Sequence, residues 1–278
     1  MINPTTRSPL DAAALTDSVV TPASIWRRVD VVAETGSTNA DLIARSATGE
    51  DIAGAVLLAE NQTAGRGRNG RSWSAVSRAQ ITMSVGVSTS GLPPAAWGWV
   101  PLATGLAVVD AVAAGNGIDA GLKWPNDVLA GANRRKLAGI LAEMATPTPV
   151  IVVGVGLNVS LLAEELPDPN ATSLAVLGAT NLDRMQLVPV LLRELQRRIE
   201  GLQATGGADA SLLARYTANS LTIGSRVRAL LPGDKEVVGD AVSVDGQGRL
   251  RIDTGNEVVV VSAGDIVHLR PVQQTSAE

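Results

Sequence analysis

Cysteine and phenylalanine are absent from this chain of 278 residues, which has one histidine and one tyrosine. Without cysteine there is no disulfide, thiolate nucleophile, zinc finger or iron–sulfur cluster. The single histidine, His268, excludes a multi-histidine metal site and is the one candidate for a Ser-His-Asp triad. We interpret it as structural. Any catalysis must therefore use Lys, Arg, Asp, Glu, backbone amides or a hard metal ion.

Aromatic residues make up 2% of the chain, so Ala, Val, Leu and Ile must fill the core by close packing. The net charge of −4 argues against a generic nucleic-acid binder, which needs a dense basic face. Residues 79–109 carry no charge, but three prolines interrupt them, and we predict a buried helix that begins at Pro101. With no signal-peptide pattern at the N-terminus, we expect a soluble, cytoplasmic protein.

The order of apolar runs predicts an α+β fold. Strands are expected at 29–32, 55–60, 81–87, 121–124, 128–130, 137–144 and 150–159, and helices at 37–46, 101–114, 184–201 and 209–219. The strand at 150–159 is a candidate for a sheet edge used in self-pairing or docking. After residue 220, short apolar runs separated by PGDK, DGQG and TGN turns predict a small β-barrel. The expected divisions are a flexible arm (1–25), a main domain (26–220), a C-terminal domain (221–271) and a tail (272–278).

The segment from Glu60 to Trp73, ENQTAGRGRNGRSW, has glycines in the G-x-G-x-x-G spacing of dinucleotide sites. That interpretation fails, because a strand is predicted to follow and residues 61–109 contain no Asp or Glu. Its arginines suit phosphate or carboxylate oxygens, and its glycines allow a mobile loop. We expect the loop to close over an anionic small molecule; the alternative is a solvated basic turn. The arginines are Arg66, Arg68 and Arg71.

Two further motifs place charged groups beside predicted strands. In KWPND, Asn126 and Asp127 follow a rigid Pro125, where they could hold Mg²⁺ or orient a triphosphate; the alternative is an ordinary turn. In KLAGILAE, Lys136 begins an apolar strand and either projects a fixed charge into a cleft or reaches solvent.

Two other motifs are uncharged. The glycines of GVGLN, which ends at Asn158, indicate close approach of a ligand to a strand. The GSTN segment ending at Asn39 begins a helix, and its hydroxyls either cap that helix or bind a polar ligand. Because rings are scarce, we expect Trp73 and Trp124 to face ligands.

In series, STN, AENQTAGRGRNGRSW, KWPND, KLAGILAE and GVGLNV resemble the biotin protein ligase family in order and spacing, from about Val29 to Arg270. The resemblance implies a mixed-sheet, class II synthetase-like biotin/lipoate ligase domain with a small C-terminal SH3-like β-barrel. It also implies that ATP and Mg²⁺ activate biotin as biotinyl-5'-AMP. A lysine on the biotin carboxyl carrier domain of acetyl- or propionyl-CoA carboxylase would then displace AMP.

The same resemblance implies roles for individual residues. The expected catalytic residues are Lys136, Arg66 and Arg68. The residues expected to contact biotin are Ser37, Thr38, Asn39, Gln62, Arg66, Gly67, Arg68, Lys136, Gly139 and Gly156. Those expected to contact the nucleotide are Arg71, Trp73, Asn126, Asp127 and Asn158. Asp127 is also the candidate metal ligand.

The sequence departs from the family pattern at Ala138, where many members have glycine. Some members also carry an N-terminal DNA-binding domain, for which the arm is too short, so we expect no operator binding and no DNA partner. We also expect no membrane partner, and a monomer or weak homodimer. Two alternatives stay open. One is a lipoate or octanoate ligase or transferase of the same fold, and the other is a non-catalytic biotin-responsive regulator.

Overall fold

A mixed seven-stranded sheet forms the centre of the molecule, for which the computed structural model describes residues 7–231, 235–262 and 265–268. Its strands are β1 (Arg28–Val32), β2 (Ala55–Ala59), β3 (Gln80–Ser88), β4 (Ala120–Lys123), β5 (Asp127–Ala130), β6 (Arg135–Ala145) and β7 (Val150–Asn158). Their order is β1-β2-β3-β7-β6-β5-β4. Only β1 and β2 pair in parallel within these ranges. The α+β prediction is confirmed.

Helices cover both faces of this sheet. They are α1 (Ala12–Val19), α2 (Thr38–Ala47), α3 (Trp99–Asn116), α4 (Arg184–Thr205) and α5 (Ala210–Asn219). Along β2, Leu57 packs into the apolar cluster on the α2 face, whereas Val56 and Leu58 join the larger cluster on the opposite face. This alternation follows from the two-residue period of a strand, and it explains why β2 is apolar throughout.

The first part of the uncharged segment forms β3, and its last part enters α3, which begins at Trp99, two residues before the predicted start. Among the described residues α3 is long and apolar enough to cross a membrane by length and composition, with a mean hydropathy of 1.2. However, 67% of its residues are buried inside the molecule. Its Asp110 forms ion pairs with Arg198 of α4 and Arg215 of α5, which link the three helices.

Within the segment expected to be a flexible arm, residues 10–19 pack against the rest of the molecule. Leu15 and Val19, four residues apart on α1, are buried because that spacing puts both on one helix face. The N–H of Leu10 donates to Glu60 Oε1 at 2.5 Å, and Glu60 forms a buried ion pair with Arg184. Residues 1–6 lie outside the described part of the chain.

Strand β7 lies between β3 and β6 in the middle of the sheet, so its expected position at an edge was wrong. The strand is buried along most of its length, which is the pattern of a strand covered on both faces. The edge strands are β1 and β4. Consequently, neither self-pairing nor docking by strand addition is open to β7.

The C-terminal region forms a separate five-stranded antiparallel sheet, consistent with an SH3-like domain. Its strands are β8 (Arg226–Leu231), β9 (Lys235–Val244), β10 (Leu250–Asp253), β11 (Val258–Val261) and β12 (Asp265–His268). In the order β11-β10-β9-β8-β12 the outermost described strands each have one neighbour, so this is an open sheet and not the predicted closed barrel. The side chain of His268, which we interpreted as structural, lies outside the described residues.

Candidate functional site

One cleft, with a volume of about 310 Å³, brings most of the predicted site residues together over β3, β6 and β7. Those that line it are Ser37, Thr38, Asn39, Gln62, Arg66, Gly67, Arg68, Arg71, Trp73, Asn126, Asp127, Lys136, Gly139 and Gly156. They come from the start of α2, the loop between β2 and β3, the β4–β5 turn and two central strands. Segments far apart in sequence therefore converge as their order in the sheet requires.

Neutral hydrogen-bonding groups form one end of the cleft. Ser37 caps α2, its Oγ accepting from the N–H of Ala40 at 3.5 Å. The Oε1 atom of Gln62 accepts from the N–H of Thr38 at 2.9 Å and from its hydroxyl at 3.0 Å. Helix capping and lining of the cleft are thus combined in one segment, where the sequence had left them as alternatives.

Ser84 of β3 is a buried member of this end that the sequence analysis missed. Its hydroxyl donates to Asn39 Oδ1 at 2.6 Å and also lies 2.7 Å from Thr38 Oγ1. The side-chain amide of Asn39 donates to Leu141 O at 3.2 Å and to Glu143 Oε2 at 2.8 Å. Because these groups satisfy one another, the polar end is held in place before a ligand enters.

Glu143 was also missed, although it is the last residue of the KLAGILAE motif. Its Oε1 lies 3.0 Å from Arg66 Nη2. The loop arginine therefore has a carboxylate partner from β6, whereas the sequence near the loop indicated none. The strand order brings β6 beside the loop, and no distance along the sequence could indicate this contact.

Cations gather at the opposite end of the cleft. Lys136 Nζ lies 2.8 Å from Asp127 Oδ1 and 5.5 Å from the centre of the Trp73 ring. Arg68 Nη1 donates to Asn126 Oδ1 at 3.2 Å. Lys123, the first residue of KWPND, lines this end as well and has no ion pair within the part of the chain that the structure describes. It was not among the predicted site residues.

Gly139 of β6 and Gly156 of β7 pair across the strands and support the Trp73 ring. An added Cβ at Gly156 would lie 2.3 Å from the ring, and one at Gly139 would lie 3.0 Å from it. The sequence predicted close approach of a ligand to the GVGLN glycines, and the group that approaches Gly156 in the structure is an indole of the same chain. The Nε1 atom of Trp73 is buried and has no hydrogen-bond partner among the described residues.

Two expected ligand contacts differ from the prediction. Trp124 borders the cleft but is only 2% exposed, and its indole N–H donates to Gly248 O in the C-terminal sheet at 3.0 Å. Asn158 does not line the cleft. It is 2% exposed, accepts from Gln80 Nε2 and donates to Thr172 O, both at 2.8 Å. Both side chains are satisfied by long-range partners that the sequence does not indicate.

Comparison with known proteins places this cleft in a family. The model for the biotin/lipoate A/B protein ligase family matches residues 37–158, and that for the biotin protein ligase C-terminal domain matches residues 222–269. The biotin–(acetyl-CoA-carboxylase) ligase of Mycobacterium tuberculosis is 57% identical over 95% of this chain and 97% of that protein. This chain belongs to the biotin protein ligase family.

Other biotin protein ligases extend the comparison. The bifunctional ligase/repressor BirA of Escherichia coli is 32% identical over 83% of this chain and 70% of that protein. The biotin protein ligase of Aquifex aeolicus, solved in complex with biotin and ATP, has a TM-score of 0.73 and 24% identity, covering 87% of this chain and 98% of that one. The latter similarity establishes a shared fold.

Proposed function

We propose that this biotin protein ligase is a biotin–(acetyl-CoA-carboxylase) ligase, which joins biotin to a carrier-domain lysine at the expense of ATP. The observation that carries the proposal is the polarity of the cleft. Neutral hydrogen-bonding groups at Thr38, Asn39 and Gln62 lie at one end, with Arg66 beside them through its ion pair with Glu143, whereas Lys136 and Arg68 lie at the other. Biotin has the matching order of groups, with a neutral ureido ring, an apolar chain and a terminal carboxylate.

In the first step, an oxygen of the biotin carboxylate attacks the α-phosphorus of ATP. The bond to pyrophosphate breaks and biotinyl-5'-AMP forms. The carboxylate is attracted by the side chains of Lys136, Arg66 and Arg68. The same cations stabilise the phosphoryl oxygens, which gain negative charge as the bond to pyrophosphate breaks. Arg71, Lys123 and Asn126 border the same end and serve the nucleotide and its phosphates. None of these roles requires a thiol or an imidazole.

Mg²⁺ is proposed as the metal. Within the described residues there is no group of three or more acidic or histidine side chains that could hold an ion unaided. The donor set nevertheless fits Mg²⁺, which proteins bind through one or two carboxylates together with substrate phosphates. Asp127 supplies the carboxylate at the cationic end of the cleft. When bound, the ion would neutralise charge on the phosphates.

In the second step, the neutral amine of the acceptor lysine attacks the acyl carbon of biotinyl-5'-AMP. AMP leaves and an amide forms, with release of the proton of the amine. The intermediate reacts readily with water, so a glycine-rich loop that closes over it protects the product. Trp73 and the glycines around Arg66 supply such a cover.

The finer assignments belong to the same proposal. The acceptor is the biotin carboxyl carrier domain of acetyl- or propionyl-CoA carboxylase, and the enzyme acts as a monomer or weak homodimer. We propose that it works in the cytoplasm, where ATP and newly made carboxylases are both present.

Incubation of the protein with biotin, ATP, Mg²⁺ and an apo carrier domain tests the proposal, with the intact mass of the carrier as the readout. We expect a gain equal to one biotinyl group, and no gain without ATP or when the acceptor lysine of the carrier is replaced by arginine. Parallel reactions with lipoate or octanoate examine the related activities of this fold. An unmodified carrier together with unconsumed ATP would refute the proposal, and modification by lipoate alone would replace it.

A further inference from the structure

Trp124 depends on the C-terminal region for both of its N–H groups. Its backbone N–H donates to Thr222 Oγ1 at 3.0 Å, and its indole N–H donates to Gly248 O at 3.0 Å. Trp124 itself belongs to the KWPND motif between β4 and β5. A residue of the cleft wall is therefore held by hydrogen bonds from outside the main domain.

Gly248 lies in the turn between β9 and β10, and this turn is anchored at a second point. The indole of Trp99, at the start of α3, donates to Asp245 O at 3.1 Å. The carboxylate of Asp245 accepts from the N–H groups of Gln247 at 2.9 Å and Arg249 at 3.0 Å. These bonds fix the conformation of the turn, so its two accepting carbonyls keep a constant separation.

Two glycines bring the turn into direct contact with the start of α3. Gly248 has a φ of +80°, and a Cβ on it would lie 2.7 Å from Gly98 O. A Cβ on Gly98 would lie 2.3 Å from Gln247 O. Neither position can accept a side chain without a shift of backbone, because both near atoms are carbonyl oxygens.

Any such shift would reach the reacting groups through a short stretch of chain. Asn126 follows Trp124 by two residues and accepts from Arg68 at 3.2 Å. Asp127 follows Asn126 and holds Lys136 at 2.8 Å. A movement of Trp124 therefore strains the partners of both cations, of which Asn126 is also bonded to β6 through Ile140. Thr38 and Asn39 are held by β3 and β6 and have no such link to Trp124.

We propose that the turn at 245–248 is a positioning element for biotin adenylation: through Trp124 it sets Asn126 and Asp127, and with them Arg68 and Lys136. The inference rests on the proposed function and adds a residue, Gly248, that does not touch substrate. It also means that the C-terminal sheet helps to position the reacting groups in the first step of the reaction.

The test compares Gly248→Ala with two controls in the same sheet. Gly255→Ala has the same backbone strain, since Gly255 has a φ of +87°, but its Cβ would meet no atom within 4 Å. Gly246→Ala lies in the same turn as Gly248 and its Cβ would also meet nothing within 4 Å. Gly98→Ala disturbs the same contact from the side of the main domain.

The readouts are the rate of biotin-dependent exchange of pyrophosphate into ATP, and the affinity for biotin alone from titration calorimetry. Gly248→Ala and Gly98→Ala should each lower the rate of exchange about tenfold or more, as small misplacements of reacting groups do, with biotin affinity within about twofold of wild type. In the double variant the losses should not add, since either change alone breaks the contact. Gly246→Ala and Gly255→Ala should retain the wild-type rate.

Three outcomes would contradict this inference or its basis. Equal exchange rates in Gly248→Ala and Gly255→Ala would show that the contact with α3 has no role. A loss of biotin affinity as large as the loss of exchange would mean general structural damage, and would also overturn the inference. Absence of exchange in the wild-type protein would refute the proposed function itself, which is a separate result.

Discussion

Replacement of Gly156 by alanine tests how closely Trp73 must lie on the sheet. The new Cβ would lie 2.3 Å from Cε2 and 2.5 Å from Cζ2 of the indole. Ordinary carbon contacts are roughly 3.5 Å or longer, so the ring must lift by about 1 Å. At the paired Gly139, the nearest ring atom would be 3.0 Å away and Cε of Lys136 3.1 Å away, so a shift of a few tenths of an ångström by the ring and by the flexible end of the lysine is enough.

The expected losses follow these displacements. Misplacement of a reacting group by about 1 Å costs up to about 100-fold, so Gly156→Ala should lower kcat/KM for ATP–pyrophosphate exchange between tenfold and 100-fold. Gly139→Ala should lower it by less than about threefold. Overpacking by one methyl group costs about 1–3 kcal/mol, and the open cleft lets the ring move outwards, so both variants should remain folded.

Exchange kinetics together with thermal unfolding provide the measurement, and Gly246→Ala serves as the control for a harmless added methyl group. The test depends on the order of the two losses in kcat/KM, which should be larger in Gly156→Ala than in Gly139→Ala. Wild-type kcat/KM in Gly156→Ala, or a larger loss in Gly139→Ala than in Gly156→Ala, would contradict the idea that contact with Trp73 sets the geometry of the cleft.

Two other predictions concern charge. Lys136→Ala should reduce pyrophosphate release by at least about 100-fold, as loss of one transition-state donor does, and normal release would exclude that role. Burial alone would raise the pKa of Asp110, but hydrogen bonds from Arg215 and Arg198 outweigh it and hold that pKa below its usual value. The stability that Asp110 contributes is therefore present above about pH 4 and is lost as the pH falls through the lower folded-state pKa. Asp110→Asn should lower the free energy of unfolding by about 3 kcal/mol at pH 7, and by progressively less in acid. A deficit that stays constant down to pH 3, measured by denaturant unfolding, would count against it.

Local patterns in the sequence were sufficient for most elements of the fold. The alternation of apolar runs located the strands of the main sheet, and GSTN marked the start of α2, for which the structure identifies Ser37 as the cap. Such signals depend on a few neighbouring residues, so they can be recognised without knowledge of the tertiary structure. The order of strands is different in kind. It depends on which pairs bury the most apolar surface, and β7 was misplaced at an edge for that reason.

The candidate site shows the same division. Motifs identified the residues that line the cleft, but their partners come from distant strands: Ser84 from β3 for Asn39, and Glu143 from β6 for Arg66. Scarcity of rings suggested a ligand contact for Trp124, yet its partner is a carbonyl of the C-terminal turn. Composition shows that aromatic rings are scarce in this chain, but only the fold determines what each ring packs against.

Pairing of charges explains how the cleft can hold so many cations before a substrate binds. Lys136 lies 2.8 Å from Asp127, and Arg66 lies 3.0 Å from Glu143. Each carboxylate offsets the repulsion between neighbouring cations and restricts its partner to one orientation. The ordering of these side chains is thereby completed during folding, and not during the reaction. An anionic substrate meets a cation that is already placed, and must share it with a carboxylate. Activation of a carboxylate by attack on the phosphoanhydride of ATP therefore needs no cysteine or histidine here, because fixed charge supplies the stabilisation that those residues supply elsewhere.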